Sequence, residues 1–552
     1  MRSSAFASHD SVRVTMRARR LRVFRLTAAC TAVALTLAGC AFGPDGHAPA
    51  MPQPDHYGAA PQPAQTVAAQ GVAQQFVVGA QPVPEWWRLY QSDALNALVD
   101  EGLRNSPTLA AADKSLLAAH EQLRAQIGSS MLPTVDLGAQ TSRQRALSVP
   151  DFGPPTALYN VFAGQFQAHY TFDLFGASRL ANAATAARVD TQSWQLEAAR
   201  RALAANIVTA TISAAMLHAQ IDTTERLVAL ADAQAHDTLR RYALGSAAHA
   251  DALAAQQDAA SLAAGLPALR QQWQTTRHAL AVLLGRTPDA APDDLALASL
   301  HLPEQVPVVV PTELLRSRPD IEAADASLKA AAAAVGAATA QMYPSLSLTA
   351  SFGQGGFDWP TALSGAGALW SIGASLSQPI FHGGALAAQK RAAQATYDAA
   401  TSQYRQTVLA AFQNVADVLA SLDHDAQSLD AASHAAQYAQ QAFDETSGRY
   451  RLGAVPASSA RSSEQQYRNA QLDEIRYGAA RLTDTAALFQ AMGTPPVAPV
   501  APVRGTAVGA TGTANATSTH ADASAMPAVS TVSSTTGTAS EVGSTNAGPA
   551  RP

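Results

Sequence analysis

The clearest pattern along the chain is a strict alternation of apolar and small polar residues between Ser345 and Gly384. The alternation covers positions 345–352, stops at a Gly-rich segment and resumes over positions 370–377. Because successive side chains of a strand point to opposite faces, this pattern predicts a β-hairpin with one apolar and one small polar face. A soluble sheet and part of a membrane barrel both fit it. The predicted apolar face consists of Leu346, Leu348, Ala350, Phe352, Trp370, Ile372, Ala374 and Leu376.

A second alternating stretch, at positions 134–175, predicts another hairpin of the same kind. Its two halves flank a Pro/Gly-rich loop at positions 149–156. The chain is therefore expected to contain four strands, with a small soluble sheet as the alternative to a barrel. The predicted apolar positions are Val135, Leu137, Ala139, Thr141, Phe162, Phe166, Ala168, Tyr170, Phe172 and Leu174.

Each predicted hairpin runs directly into a very long helix. Positions 177–242 contain neither proline nor glycine, and about 65 residues at 1.5 Å each make a helix of about 100 Å. A returning helix completes a helical hairpin over 177–284, and a second helical hairpin is predicted over 385–492. Apolar residues spaced by three and four form a supercoil seam in both. The seam residues are Ile207, Ala210, Ala214, Leu217 and Ile221, then Val408, Ala411, Val415, Val418 and Leu422.

The second half of the chain repeats the first, because five landmarks recur after 206–212 residues. An offset this constant indicates an internal duplication. The repeats are expected to occupy residues 81–288 and 317–494. The paired landmarks are Pro107 and Pro319, Pro133 and Pro344, Phe175 and Phe381, Tyr242 and Tyr450, and Gly285 and Gly493.

Three segments outside the repeats have the composition of linkers or tails. Residues 40–80 are rich in Pro, Gln, Ala and Gly, and residues 289–316 contain four prolines. Both are expected to be linkers. Residues 495–552 are rich in Ala, Thr and Ser without periodicity, so a disordered tail is expected there.

Residues 1–39 have the features of a lipoprotein signal peptide. A basic stretch at 12–25 precedes an apolar run at 26–37 that is too short to span a bilayer. The sequence Leu37-Ala38-Gly39 before Cys40 resembles a bacterial lipobox, which implies a diacylglycerol group and an N-acyl chain on Cys40. Ala41 resembles the outer-membrane sorting pattern of such lipoproteins. An ordinary secretion signal with an accidental cysteine is the alternative.

Composition and charge argue against chemistry in the body of the chain. The net charge is only −5, and no basic run after the N-terminus indicates a nucleic-acid partner. Cys30 and Cys40 are the only cysteines, so a disulfide framework or a Cys-based metal site is excluded from the body. No spacing typical of a nucleophile–base pair, a phosphate loop or a metal-ligand set is present. We therefore expect no enzymatic activity, no metal and no cofactor besides the lipid on Cys40.

Four strands per chain cannot close a membrane barrel, which needs at least about eight strands. The sequence shows no further hydrophobic helix after the signal, so a barrel is the expected spanning device. An open sheet edge is not tolerated in lipid, so the chain is expected to pool its strands with other copies. Long helices arranged around the same axis would then continue the barrel as a tube, which indicates a conduit.

The body of the chain, over about residues 80–494, resembles the TolC-like outer-membrane factors, in their lipoprotein branch. These are the outlets of resistance-nodulation-division efflux pumps. The resemblance implies an α+β membrane protein with duplicated helical hairpins and four β-strands per chain. It also implies a homotrimer whose twelve-stranded β-barrel is continued by an α-helical barrel. The matching stretches are Glu85-Trp86-Trp87, 173–176, 314–321, 343–346, 379–381 and 449–453.

The same resemblance implies an outer-membrane location, a long periplasmic extension, and two protein partners. The partners are a periplasmic adaptor (a membrane-fusion protein) and an inner-membrane resistance-nodulation-division transporter. In this family the helical tips dock the adaptor and hold a gate, in which a tyrosine bonds to an aspartate. The corresponding candidates are Asp251, Tyr450 and Tyr242 for the gate and Leu244, Gly245, Leu452 and Gly453 for the docking tips.

Two features of the gate remain open in the sequence. The alternative to a gate bond is that Tyr450 only packs within the turn of its helical hairpin. The family's constriction often carries two aspartates, where this chain has Ser459 and Ser462. This departure puts a cation-binding constriction in doubt, although Glu464 lies close by.

The predicted function is an exit duct that passively conducts small molecules, such as drugs, out of the periplasm. One alternative is the outlet of a type I protein-secretion system. Another is a periplasmic coiled-coil lipoprotein without a channel, which would need the long helices but not four strands with lipid-compatible faces.

Overall fold

The computed structural model describes residues 43–52, 54–58, 62–81, 83–147 and 156–493. The signal peptide with Cys40 and the tail 495–552 lie outside these residues. The strands are β1 (Gln75–Val78), β2 (Thr134–Leu147), β3 (Thr156–Phe172), β4 (Gln305–Val308), β5 (Ser345–Gly356) and β6 (Ala368–Ser377). The helices are α1 (Asp93–Asn105), α2 (Pro107–Met131), α3 (Ala177–Ala243), α4 (His249–Leu283), α5 (Pro311–Ser317), α6 (Pro319–Ala340), α7 (Trp359–Ala362), α8 (Ala385–Arg451) and α9 (Ala457–Met492).

The two longest helices, α3 and α8, show the duplication directly. Each has 67 residues, and each follows a glycine with left-handed backbone, Gly176 at φ 79° and Gly384 at φ 81°. A left-handed φ is strained for other residues, so glycine fits this strand-to-helix handover. Gly384 is therefore the structural counterpart of Gly176.

The hairpin predictions are confirmed, with one difference in a connection. Strands β2, β3, β5 and β6 form one antiparallel sheet in that order. The Gly-rich segment expected as a turn between β5 and β6 contains the short helix α7. Asp358 caps α7 by accepting a hydrogen bond from the Thr361 N–H at 2.8 Å.

The segments expected to be linkers form part of the folded body instead. Strand β1, within residues 40–80, pairs in parallel with β4, within residues 289–316. Their central residues pack into a buried cluster against α8, and the Tyr57 hydroxyl donates to the Val309 carbonyl at 2.6 Å. Composition alone could not show this, because the two strands are far apart in sequence and stabilise each other only in the fold.

A buried arginine fastens the N-terminal segment to α9. Arg481 is only 1% exposed, and its guanidinium donates to the Gln74 amide oxygen, the Thr66 hydroxyl and the Val72 carbonyl at 3.0–3.2 Å. Gln74 in turn donates to the Thr485 hydroxyl at 3.1 Å. Burial lowers the pKa of Arg481 to about 10, so the group stays charged at neutral pH.

Most residues of the predicted helical seams are buried, and Ala210 and Val418 are half-buried. Ile207, Val408, Val415 and Leu422 are fully enclosed. Contrary to the sequence expectation, the apolar stretch of α3 is long and hydrophobic enough to cross a membrane by composition, with a mean hydropathy of 1.5. However, 56% of that stretch is buried inside the chain, and α3 contacts α4, α6 and α9. Its hydrophobicity is accounted for by helix packing.

A glycine at the equivalent position of each repeat lets the end of the repeat's last helix lie against the end of its first helix. Gly285 ends the α4 turn at φ 77°, and a Cβ there would lie 2.5 Å from the Asn105 carbonyl oxygen. Gly493 repeats this arrangement at φ 65°, with 2.5 Å to the Ser317 carbonyl oxygen. Both the backbone conformation and the close approach thus require glycine. Each repeat closes on its own first helices in the same way.

The hydrogen bonds that Arg481 donates to Gln74, Thr66 and Val72 predict a large and specific effect on stability. Replacing Arg481 by Met leaves buried acceptors on Gln74, Thr66 and Val72 without their donor, at a cost of about 2–3 kcal/mol. The matched control is Arg476→Met on the same helix, because Arg476 forms only an exposed pair with Asp473. That control should change stability by less than about 0.5 kcal/mol. Urea unfolding in detergent, followed by tryptophan fluorescence, measures the free energy of unfolding of both variants. Equal losses would contradict the stabilising role of the Arg481 hydrogen bonds.

Candidate functional site

The four-stranded sheet lines up its apolar residues in continuous rows. Leu137 faces Phe166, Phe166 faces Phe352, and Phe352 faces Trp370 across the strands. These side chains are exposed, Phe352 to 66% and Trp370 to 75%. A soluble sheet would cover such a band, whereas a membrane barrel presents it to lipid. The next rows consist of Val135, Ala168, Ala350 and Ile372, then Tyr170, Leu348 and Ala374, then Phe172, Leu346 and Leu376.

The opposite face of the sheet is small and polar. Ser351 and Ser371 face each other with their hydroxyl oxygens 2.8 Å apart. Short hydroxyl side chains leave room beside the strands, which suits the inner wall of a channel. The other polar positions of this face include Thr134, Asp136, Gln165, Gln167, His169, Ser347, Thr349 and Ser375.

Both outer edges of the sheet lack a partner strand in the described part of the chain. Strand β2 pairs only with β3, and β6 only with β5. An unpaired edge exposes backbone N–H and C=O groups, each of which costs several kcal/mol in hydrocarbon. The sheet is therefore complete in a membrane only when further strands pair with both edges.

The helical tips lie at the end of the hairpins far from the sheet, and both have the same geometry. In the first, the Ser246 N–H donates to the Arg241 carbonyl and the Gly245 N–H to the Tyr242 carbonyl, at 2.8 and 2.9 Å. The second tip repeats both bonds at 2.9 Å, from Ala454 to Arg449 and from Gly453 to Tyr450. This is a Schellman ending with a left-handed glycine. It leaves Leu244 and Leu452 exposed to 77% and 85%.

The gate candidates lie beside these tips, and in the described part of one chain no hydrogen bond joins them. The Asp251 carboxylate accepts a hydrogen bond from the Ala248 N–H at 3.4 Å, at the start of α4. The Tyr242 ring lies 4.8 Å from the His249 ring. Among the described residues no hydrogen bond involves the Tyr450 hydroxyl, which is on a side chain 47% exposed. Geometry thus leaves the Asp251–Tyr450 bond as a prediction.

A contact that sequence analysis missed joins the two hairpins near the tips. The Arg461 guanidinium on α9 pairs with Asp237 on α3 and donates to the Gln234 side chain at 3.1 Å. The paired residues are 224 positions apart, so no local motif could reveal them. Because α3 and α9 belong to different hairpins, this ion pair ties one hairpin to the other within the chain.

Two of the residues near the expected constriction, Glu464 and Ser459, make contacts within their own helix or its first turn. Glu464 pairs with Arg468 one helical turn away at 3.5 Å. The Ser459 N–H donates to the Pro456 carbonyl at 3.0 Å, and Ser462 is exposed. Serines in these positions offer hydroxyl oxygens and no negative charge, so in this chain an acidic ring would have to come from other residues.

One carboxyl pair lies between α8 and α9, well above the tips. Burial, and after it the neighbouring carboxylate of Asp484, raise the pKa of Asp425 well above its ordinary value, and Arg481 partly offsets this. Within the described residues, no group of three or more His, Cys, Asp or Glu side chains could hold a metal ion.

One protein-family model matches this chain twice, once in each repeat. The model of the outer membrane efflux protein family matches residues 98–286 and again residues 310–494. The chain belongs to this family. The two matched segments correspond to the two repeats, so each repeat carries the family pattern by itself.

This efflux-family chain is similar to several curated proteins over most of its length. It is 29% identical to the pyoverdine export outer membrane protein OpmQ of Pseudomonas putida, covering 75% of this chain and 89% of that one. It is 31% identical to outer membrane protein OprJ of Pseudomonas aeruginosa, covering 71% and 79%. The CmeC outer membrane channel of Campylobacter jejuni shares its fold, with a TM-score of 0.72, 22% identity and coverage of 82% and 95%.

Family membership fixes the location of the sheet. The chain is an outer-membrane protein with the fold of the outer-membrane channels, so the exposed apolar face of β2, β3, β5 and β6 meets lipid. The long helices extend from it into the periplasm. Because the known family proteins are channel and transport proteins, the prediction of a transport role is supported.

Proposed function

We propose that this chain forms a homotrimer that is the exit duct of a tripartite efflux pump. Three four-stranded sheets pair edge to edge into a twelve-stranded barrel, and the six long hairpins continue it as a helical tunnel. The observation that carries this proposal is the sheet itself. It has a lipid-compatible face, a small polar face and two unpaired edges.

The duct conducts small molecules passively and depends on partners for energy and opening. The partners are a periplasmic adaptor docking at Leu244, Gly245, Leu452 and Gly453, and an inner-membrane transporter of the resistance-nodulation-division class. Exposed leucines beside rigid glycine turns suit a docking surface on each tip. The names of relatives that export pyoverdine and antibiotics support small molecules as cargo.

A lipid on Cys40 anchors the N-terminus at the same membrane. Gly43 lies against Gly336 of α6, where a Cβ on Gly43 would approach the Gly336 nitrogen to 3.0 Å. Gly336 is one helical turn from the end of α6, and β5 begins shortly after that end. Three further residues reach about 10 Å when extended, so a lipid on Cys40 can enter the bilayer beside the barrel.

The lipid prediction has a direct measurement. Mass spectrometry of the N-terminal peptide from protein purified from bacterial membranes should show Cys40 as the first residue with a diacylglycerol group and an N-acyl chain. In a Cys40→Ser variant, the lipid mass should disappear while the barrel stays in the outer membrane, because the sheet supplies a second anchor. Cys30→Ser is the control and should leave the lipid mass unchanged. An unmodified Cys40 would contradict the anchor.

The gate closes through a hydrogen bond between Asp251 and Tyr450 of neighbouring protomers. Each bond contributes about 1 kcal/mol, so three symmetric copies change the open population by on the order of 100-fold. We expect Asp251→Asn combined with Tyr450→Phe to raise the open probability of the purified protein in a planar bilayer by that order. Tyr438→Phe is the matched control, since Tyr438 is an exposed tyrosine on the same helix.

The recordings separate the channel from its gate. An open pore that responds equally to both substitution sets would contradict the Asp251–Tyr450 bond and favour simple packing of Tyr450. Absence of any pore, even in the double variant, would contradict the duct itself.

A further inference from the structure

Strand β2 carries two arginines on the lipid-facing side of the sheet. Arg143 and Arg145 are separated from Leu137 by even numbers of residues, so they project from the same face. Both are exposed, and within the described residues neither makes an ion pair or a hydrogen bond. Charged side chains on this face are costly at the centre of a bilayer but are tolerated near its surface. Their height therefore decides their role.

The rows of the sheet give that height. The rows of this face run from Phe172, opposite Leu346, to Phe162, opposite Gly356, and their side chains are apolar or small apart from Tyr170, Gln354 and Thr141. Ten residues at 3.3 Å with a tilt of about 40° span about 25 Å, which is the height of the apolar band of an outer-membrane barrel. Arg143 lies one row above Phe162, on the side away from the helices. The arginines thus begin where the hydrocarbon ends.

Aromatic residues mark the same boundary independently. Trp359 of α7 lies over Phe162, with ring centroids 4.4 Å apart, and remains 59% exposed. Helix α7 lies on the lipid-facing side, because a Cβ on Gly356 would meet the Ala362 nitrogen at 2.7 Å. Tryptophan and phenylalanine on the outer face of a barrel are typical of its aromatic girdle, at the level of the lipid headgroups.

We propose that Arg143 and Arg145 bind the phosphate group of an outer-leaflet lipid. Their Cα atoms are about 6.6 Å apart along the strand, so both guanidinium groups can reach one phosphate or two adjacent ones. Guanidinium forks bind phosphate oxygens in pairs, and the boundary with hydrocarbon strengthens these charge-assisted bonds. Asn160, opposite Arg143, adds an amide at the same level. This inference rests on the proposed placement of the sheet in the membrane.

The test uses the full chain purified in detergent as an intact oligomer. The protein is incubated with lipid A, a bis-phosphorylated glycolipid, or with phosphatidylcholine, and the lipid retained after size-exclusion chromatography is measured by mass spectrometry. Arg143→Gln with Arg145→Gln should lower lipid A retention by about 25-fold, since each arginine near an anionic surface contributes on the order of fivefold. Phosphatidylcholine has one phosphodiester that is neutralised by its own quaternary ammonium group, so its retention should change far less.

The control removes the same charge elsewhere. Arg124→Gln with Arg476→Gln changes two exposed arginines of periplasmic helices, each paired with a neighbouring carboxylate, and should retain lipid A as the wild type does. Monophosphorylated lipid A should bind the wild type more weakly than lipid A, which tests the phosphate itself.

Two results would overturn the lipid site: equal lipid A retention by the Arg143/Arg145 variant and the wild type, or an equal loss in the control variant. Absence of an oligomer peak in the wild type would overturn the proposed assembly, and this inference with it.

Discussion

The structure depends on one constraint: in hydrocarbon, every backbone hydrogen-bonding group needs a protein partner. The sheet of β2, β3, β5 and β6 satisfies its interior and leaves the outer edges of β2 and β6 open. Its apolar face fits lipid and its polar face fits a channel, but one chain cannot close the edges. Assembly is therefore part of the fold, and the tunnel follows from it, because the hairpins extend from the base of each sheet.

The periplasmic part meets a different constraint, since long helices need partners along their whole length. The seams of α3 and α8 are buried against neighbouring helices, and the glycines at 285 and 493 let each repeat close tightly on its first helices. The N-terminal segment also packs on the middle of the body, because β1 pairs with β4 and the buried Arg481 binds Gln74. Near the tips, the Arg461–Asp237 pair joins the two hairpins.

Sequence patterns predicted the parts of the fold that follow from local periodicity. Alternation with a period of two placed Phe352 and Trp370 on one face, and the structure pairs them directly. The duplication and the seams were also visible, because they recur at regular spacings. The contacts that were missed are non-local: β1 with β4, Arg481 with Gln74, and Arg461 with Asp237. The β1–β4 pairing was missed because the composition of residues 40–80 and 289–316 is typical of linkers. The two arginine contacts were missed because single polar residues on long helices give no periodic signal. The helix α7 was missed because it is shorter than two turns.

The central claim is that the open sheet is one third of a barrel. The most direct measurement is the mass of the detergent-solubilised complex, by native mass spectrometry, together with gel migration before and after heating. The account predicts a complex of three chains that migrates as a folded oligomer until it is heated. A stable monomer, or a complex whose copy number is not three, would contradict it.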